Sequence, residues 1–292
     1  MNDQKTFLKL EHVSKRYGNT GALNDVSLSF PAEGIYGVFG RNGAGKSTLL
    51  DIIARHKFPD SGTVSLASAN GGSGEPVCYI TEKNYFPRNM KIATLLSLCS
   101  STYEGWDGEY SRRLCAAFGV DTEKRYGELS RGTKSCVKIV IGLAAGQALT
   151  IFDEPVLGLD AAARDRFYKE LVDEYARAPR LFIISTHYID EAANLFDEAV
   201  IIEKGVVIKH GPVEDLTSRV FYVSGAAGEM KEFLEECRVY DTQSAGSITM
   251  AVVECAPEYA KRYNGLNFSR VGIQKLFVHL TNTEEQKGGS SI

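Results

Sequence analysis

The chain has 292 residues, of which 43% are hydrophobic and 24% charged, an ordinary globular usage that excludes wholesale disorder and suits one large domain with a smaller one. With 33 Lys and Arg against 37 Asp and Glu, the net charge is −4, so a chain-wide basic footprint for nucleic acid is absent. No uninterrupted apolar run reaches the roughly 18 residues needed to cross a bilayer.

The longest apolar candidate, 137–152, is broken by Lys138, Gly142, Gly146, Gln147 and Thr150. The N-terminal stretch has no apolar segment of the secretory kind, and no such signal is expected. Six cysteines, at 78, 99, 115, 136, 237 and 255, form no C-x-x-C pair and have no His at zinc spacing. The expectation is six reduced structural thiols in a reducing compartment.

In chain order, alternating residues predict antiparallel strands first: Phe7, Leu8, Leu10 and Val13, then Leu23, Val26, Leu28 and Phe30 after the turn at Gly18–Gly21. After a turn over 31–34, the run Ile35-Tyr36-Gly37-Val38-Phe39 predicts a strand buried on both faces. A glycine-rich loop and a helix from Ser47 to His56 follow, then a turn and strand over 59–65, a hairpin tip at 69–74 and a strand over 77–81. Residues 90–147 read as mostly helical, with Leu95, Leu96, Leu98, Leu114, Ala117 and Phe118 as core candidates. Buried strands are predicted over 149–152 and 181–185, separated by an amphipathic helix over 161–178 that Pro179 ends. Residues 199–202 and 206–209 flank a Lys204-Gly205 hairpin turn. Composition shifts after Gly211-Pro212. Strands over 221–224 and 247–254 and helices over 229–237, 258–263 and 273–280 point to a second α+β unit, and the end reads as a flexible tail.

Gly40-Arg41-Asn42-Gly43-Ala44-Gly45-Lys46-Ser47-Thr48 fits G-x-x-x-x-G-K-[ST] directly between a strand and a helix. Glycines let backbone N–H groups converge on an anion without Cβ clashes, and the helix that follows points its positive end at phosphate. Lys46 reaches the β- and γ-phosphates, and the Ser47 hydroxyl can ligate Mg²⁺. The buried strand Leu149-Thr150-Ile151-Phe152 ends in Asp153-Glu154, at the sheet edge where α/β folds bind ligands. Asp153 can hold Mg²⁺ through water, and Glu154 is placed to orient and deprotonate an attacking water.

Four further features narrow the class of P-loop protein. Leu129-Ser130-Arg131-Gly132-Thr133 precedes a helix, Gly158-Leu159-Asp160 follows Glu154, Ser185-Thr186-His187 ends the next buried strand, and Tyr17 lies before the phosphate loop. Over residues 1–215 this order resembles the nucleotide-binding subunit of an ABC transporter. The fold implied is α/β: a P-loop NTPase core with an N-terminal antiparallel β subdomain and a helical subdomain over about 85–147, then a small C-terminal α+β accessory or dimerisation unit over 216–282 and a tail over 283–292.

The resemblance also implies roles. Ser130 and Gly132 would cap the ATP held by a second subunit, so that two subunits clamp two MgATP head to tail. Tyr17 resembles the aromatic that stacks on adenine, although a half-buried strand tyrosine reads the same way. Glu154 resembles the catalytic base, His187 the switch residue that contacts the γ-phosphate and Glu154, and Asp160 the acid that crosses the dimer interface; Asp160 also suits a helix N-cap. Two departures stand out. Glu82 occupies the position where the family usually has Gln, and can ligate Mg²⁺ with stronger charge, while Arg131 and Thr133 replace the usual Gly and Gln of the signature. Both departures, with the segment Ile273–Val278, resemble the branch of bacitracin and antimicrobial-peptide exporters.

The function implied is an ATPase subunit that binds ATP and Mg²⁺ and powers export of a peptide, antibiotic or lipid-like compound by a separate integral membrane permease. Its partners would be a second ATP-binding subunit and that permease, docked near Glu82, Tyr85 and Phe86, with no nucleic acid. It would sit peripherally on the cytoplasmic face of the cell membrane. The alternative is an ABC-type ATPase with a regulatory or non-transport role; the stretch between Lys46 and Leu129 is too short, and too free of heptads, for the coiled coil of a DNA-repair ATPase.

Overall fold

A computed structural model describes residues 6–67 and 77–288, with the backbone alone over 282–288. The expected hairpin tip at 69–74 and the last residues of the tail lie outside the described residues. Strands β1 (Thr6–Tyr17) and β2 (Thr20–Pro31) pair antiparallel. Next come β3 (Gly34–Phe39), α1 (Lys46–Ile53) and β4 (Ser61–Leu66), which pairs with the free side of β1 to give a sheet of order β2-β1-β4.

After β5 (Val77–Ile80) come three helices, α2 (Ile92–Thr102), α3 (Gly108–Ala117) and α4 (Arg131–Ala144). The chain then alternates through β6 (Leu149–Asp153), α5 (Ala161–Arg177), β7 (Leu181–Ser185) and the short α6 (Ile189–Ala192) to the hairpin β8 (Glu198–Glu203) and β9 (Val206–Pro212). These strands form a six-stranded sheet of order β5-β6-β7-β3-β8-β9, parallel except for β9.

Helices cover this sheet on both faces, so its central strands β3, β6 and β7 are buried throughout and mostly apolar. Successive side chains alternate faces. Tyr36 and Val38 of β3 pack with α1 and the N-terminal sheet, in one core with Leu8, Leu49 and Ile183. Ile35 and Phe39 pack on the opposite face with Phe152, Ile184, Val137 and Phe167. On α2 the buried positions are Ile92, Leu95 and Cys99, one helical stripe. Leu98 falls off that stripe and is 50% exposed, contrary to its expected place in the core, and Leu96, Ala117 and Phe118 are only half-buried. All six cysteines are free thiols and five are buried; burial pushes Cys99 and Cys136 up to about 11.

The C-terminal residues add α7 (Val213–Ser218), β10 (Val220–Ala226), α8 (Ala227–Glu235), β11 (Arg238–Ala245), β12 (Ile248–Glu254), α9 (Tyr259–Arg262), β13 (Asn267–Arg270) and α10 (Ile273–Gly288). Their sheet, of order β11-β12-β10-β13, packs α8 on one face through Phe221, Val223 and Phe233, and α10 on the other through Val220, Val252 and Leu276. Helix α10 also reaches the larger core: Ile273 joins Ile189 and Ala192, and Gln274 Oε1 accepts from the Asp190 amide at 3.2 Å. It continues to Gly288, past the expected end at 280 and into the expected tail, because Glu284 to Lys287 are good helix formers with no breaker before the glycines.

One buried ion pair holds the helical layer to the sheet. Glu174 at the end of α5 and Arg180 before β7 are 2% and 7% exposed and bond at 2.6 Å, and Arg180 donates also to the Leu143 carbonyl at 3.0 Å. Removing one partner strands the other charge in the interior. Glu174→Ala is therefore expected to lower unfolding free energy by about 3–5 kcal/mol, while Val172→Ala on the exposed side of the same helix stays within about 0.5 kcal/mol. Chemical denaturation of the two variants checks the contrast.

Candidate nucleotide site

Parallel register builds the site. Ile80 pairs with Phe152, Asp153 with Ser185, and Ser185 with Val38. The carboxyl ends of β5, β6, β7 and β3 thus lie along one edge, and the segments leaving them emerge together.

The segment leaving β3 is the glycine-rich loop. Gly43 and Gly45 have φ of 83° and 112°, and a Cβ on Gly45 would meet the Ala22 carbonyl oxygen at 2.5 Å, so any other residue at 45 would be both strained and blocked. The loop is braced by its neighbours: the Gly205 amide donates to the Ala44 carbonyl at 2.8 Å. Helix α1 begins with no side-chain capping bond, which leaves its first amides directed at the cleft for an anion. Lys46 is 8% exposed and donates to the Gly40 and Arg41 carbonyls at 2.7 and 3.3 Å. Its charge therefore stands inside the loop.

At the end of β6, Asp153 is 6% exposed and accepts from Ser185 Oγ at 2.5 Å. Glu154 has φ of 53°, a left-handed conformation that costs about 1–2 kcal/mol for a non-glycine residue. It is held there by its amide, which donates to Ser185 O and Oγ at 3.1 and 3.2 Å. This turn aims the carboxylate at the cleft, where its Oε2 lies 2.7 Å from His187 Nδ1. The His187 ring stacks on Tyr188 with centroids 4.2 Å apart. Arg164 lies over the other ring at 4.6 Å, clamps Glu191 with bonds of 2.7 and 2.9 Å and donates to the Leu159 carbonyl at 3.1 Å.

One cleft of about 370 Å³ is lined by Tyr17, Arg41, Asn42, Gly43, Gly45, Lys46, Ser47, Thr48, Glu82, Asp153 and Glu154. Gly40 and Ala44 complete the loop behind it. The Tyr17 ring is 44% exposed beside the phosphate loop, with the Lys57 and Lys15 ammoniums 5.1 and 6.0 Å from its centroid. The hydroxyl of Ser47 and the carboxylates of Asp153 and Glu82 are hard oxygen donors. Among the described residues no three His, Cys, Asp or Glu side chains form a ready-made metal cluster. A hydroxyl with two carboxylates is a donor set that would fit Mg²⁺, which takes one or two carboxylates and keeps several waters.

Ser130, Gly132 and Asp160 do not line this cleft. Ser130 N-caps α4, accepting from the Thr133 amide at 3.1 Å, and Asp160 N-caps α5, accepting from the Ala163 amide at 2.8 Å. The two helix starts lie side by side, since a Cβ on Gly132 would meet the Gly158 carbonyl oxygen at 2.8 Å and Ser135 donates to the Leu157 carbonyl at 2.9 Å. Glu82 reaches the Arg131 guanidinium at 3.5 Å, an exposed pair of little energetic weight.

Sequence reasoning missed three contributors. Ser185 carries both acids and was legible only as the first letter of Ser-Thr-His. Arg164 has no motif. Lys138 interrupts an otherwise apolar helix face, and that interruption was its signal; it is 8% exposed, and burial pushes its ammonium down to about 8.

A family model described as ABC transporter matches residues 23–157. The Nod factor export ATP-binding protein I of Burkholderia orbicola (strain AU 1054) is 30% identical over 215 residues, 70% of this chain and 70% of that protein. The bacitracin transport ATP-binding protein BcrA of Enterococcus faecalis is 26% identical over 219 residues, 73% of this chain and 71% of that one, so the bacitracin branch is one of several similar to this chain. Among solved structures, an ATP-binding subunit of an ABC transporter matches with a TM-score of 0.63 at 27% identity over 72% of this chain and 92% of that one. A dimeric ATP-binding cassette in a post-hydrolysis state with ADP and Pi shares the fold, with a TM-score of 0.60 at 20% identity over 70% of this chain and 98% of that one. A glycine-rich anion loop, an acidic strand end and these relatives agree: the chain belongs to the ABC transporter family, as an ATP-binding subunit that hydrolyses ATP.

Proposed function

We propose that this subunit works as one half of a pair, with a second copy or a similar subunit, that closes head to tail on two MgATP and powers a separate integral membrane permease. The observation that carries this reading is the separation of Ser130 from the Lys46 cleft. The start of α4 is a second phosphate-type tip with no phosphate loop of its own in the same chain. It is completed if it covers the nucleotide of a partner, with Asp160 at the same junction. The dimeric cassette of the same fold supports the pairing.

Within the cleft, Lys46 turns from its own loop carbonyls to the β- and γ-phosphates, and the loop and α1 amides hold the remaining oxygens. Tyr17 stacks on adenine. Ser47, Asp153 and Glu82 would hold Mg²⁺, which neutralises charge on the phosphates. Glu154 orients a water on the γ-phosphate and takes its proton; His187, within hydrogen-bond distance of that carboxylate, contacts the γ-phosphate and keeps Glu154 in place. Closure follows because nucleotide binds the closed pair better than the open one.

Residues 1–215 form the ATP-binding part of this reading, residues 216–282 an accessory or dimerisation part and 283–292 a tail. The helices over 85–147 receive the permease, with exposed Tyr85 and half-buried Phe86 beside Glu82. Among the described residues no helix is long and apolar enough to cross a membrane. The subunit would be held peripherally on the cytoplasmic face of the membrane by its permease. An export cargo of the peptide, antibiotic or lipid-like kind fits the Nod factor and bacitracin relatives, and no nucleic acid is involved.

Glu154→Gln is expected to cut steady-state turnover by about 10²–10⁴ while ATP still drives dimers in gel filtration; normal turnover would remove Glu154 as the base, and a strictly monomeric ATP-bound variant would remove the head-to-tail pair. Lys46→Ala is expected to abolish binding of a fluorescent ATP analogue without loss of melting temperature. Binding at wild-type affinity would overturn the loop assignment.

A further inference from the structure

We propose that Lys138 is a positioning residue for ATP hydrolysis: its ammonium grips the backbone that carries Glu82 and makes that segment move with the helix that begins at Ser130. The inference rests on the proposed role of Glu82 at the metal.

The segment leaving β5 makes a turn in which three successive carbonyls, those of Thr81, Glu82 and Lys83, point at one spot. Lys138 Nζ fills it, with distances of 2.9, 2.7 and 3.1 Å. An ammonium has three donors, and here each has one carbonyl. Such a convergence of carbonyl oxygens is an electronegative hole, and leaving it unfilled beside the helix would take a donor from three part-buried acceptors. An apolar side chain at 138, which the surrounding Val137, Ile139, Val140 and Ile141 would lead one to expect, cannot fill it.

The anchor is stiff. Gly142, one turn further along α4, lies so close to β5 and β6 that a Cβ would meet the Phe152 ring at 2.5 Å and Ile80 at 3.0 Å. One residue beyond the gripped carbonyls, Tyr126 donates to Asn84 Oδ1 at 2.7 Å. Lys138 lies seven residues, two helical turns, from Arg131, so the residue facing Glu82 and the residue gripping its backbone share one face of α4. Arg131, Lys138, Glu82, Asp153 and Glu154 surround a single small cavity between the helix and the strand ends. Any movement of the Ser130 tip on meeting a partner's nucleotide is then passed through Lys138 to the backbone of Glu82.

The grip has a direct readout. The Lys83 carbonyl that Lys138 holds is the scissile carbonyl for trypsin, and Lys83 is exposed. In Lys138→Met of the full chain, cleavage of the Lys83–Asn84 bond should accelerate by about tenfold or more, because that rate follows the population of the released segment. The Mg²⁺ concentration for half-maximal ATPase at saturating ATP should rise about fivefold, and the Kd of a fluorescent ATP analogue without Mg²⁺ should stay within about twofold, since the Lys46 loop is untouched. A smaller active fraction would lower turnover without moving the Mg²⁺ midpoint. Lys138→Met combined with Glu82→Gln should show the Mg²⁺ midpoint of Glu82→Gln alone, because residues acting through one contact are not additive. Unchanged cleavage at Lys83, or additive Mg²⁺ shifts, would overturn the proposal. Accelerated cleavage with no Mg²⁺ effect of Glu82→Gln would instead overturn the metal role of Glu82 and leave the grip standing. Should Lys138→Met not fold, Lys138→Gln, with a single amide donor group, carries the same measurements.

Discussion

The parallel register of β5, β6, β7 and β3 is the constraint on which everything else depends. Pairing Asp153 with Ser185 and Ser185 with Val38 brings three carboxylates, one histidine and the phosphate loop to one edge. A slip of one residue would turn every side chain of a strand to the other face. Such a slip is blocked by the packing: Tyr36 and Val38 belong to one core and Ile35 and Phe39 to the other, and both cores are dense. The register is held by hydrophobic burial, while the polar site is its by-product at the strand ends.

That edge gathers like charges. Asp153, Glu154 and Glu82 face one cleft, and like charges gathered this way are unfavourable without compensation. Ser185 satisfies Asp153, His187 lies against Glu154, Lys46 stands inside its loop and the uncapped start of α1 adds positive potential. Glu154 is also in a strained backbone conformation. In the proposed reaction a metal arriving with the nucleotide would bring positive charge to these carboxylates, while Lys46 and the α1 amides would meet the phosphates.

The helical layer joins the site to the rest of the molecule. Helix α4 begins at Ser130, passes Arg131 and Lys138 beside the Glu82 segment and ends where Arg180 meets the Leu143 carbonyl. It touches the segment after β5 and the sheet along its length. On the other side, α10 rests against α6 just after His187, so the C-terminal residues are packed into the same body.

Much of this was legible along the chain. Runs such as Ile35–Phe39 and Leu181–Ser185 can only be two-sided buried strands, and a glycine-rich loop between such a strand and a helix has one obvious chemistry. What was not legible follows a physical pattern. Strand β11 is largely polar and exposed, so it has no apolar alternation to announce it. Leu98 looked like core because its residue type did, but the stripe of α2 passes it by. The sequence by itself determined the strands, the phosphate loop, the acidic strand end and the family, because each is a local pattern of residue types with a local physical cause. Only the tertiary structure decided that Ser185 holds both acids, that Arg164 braces the histidine turn and that Lys138 grips the backbone of Glu82. Those contacts join residues 24 to 57 positions apart, and which distant groups meet is set by how the layers pack.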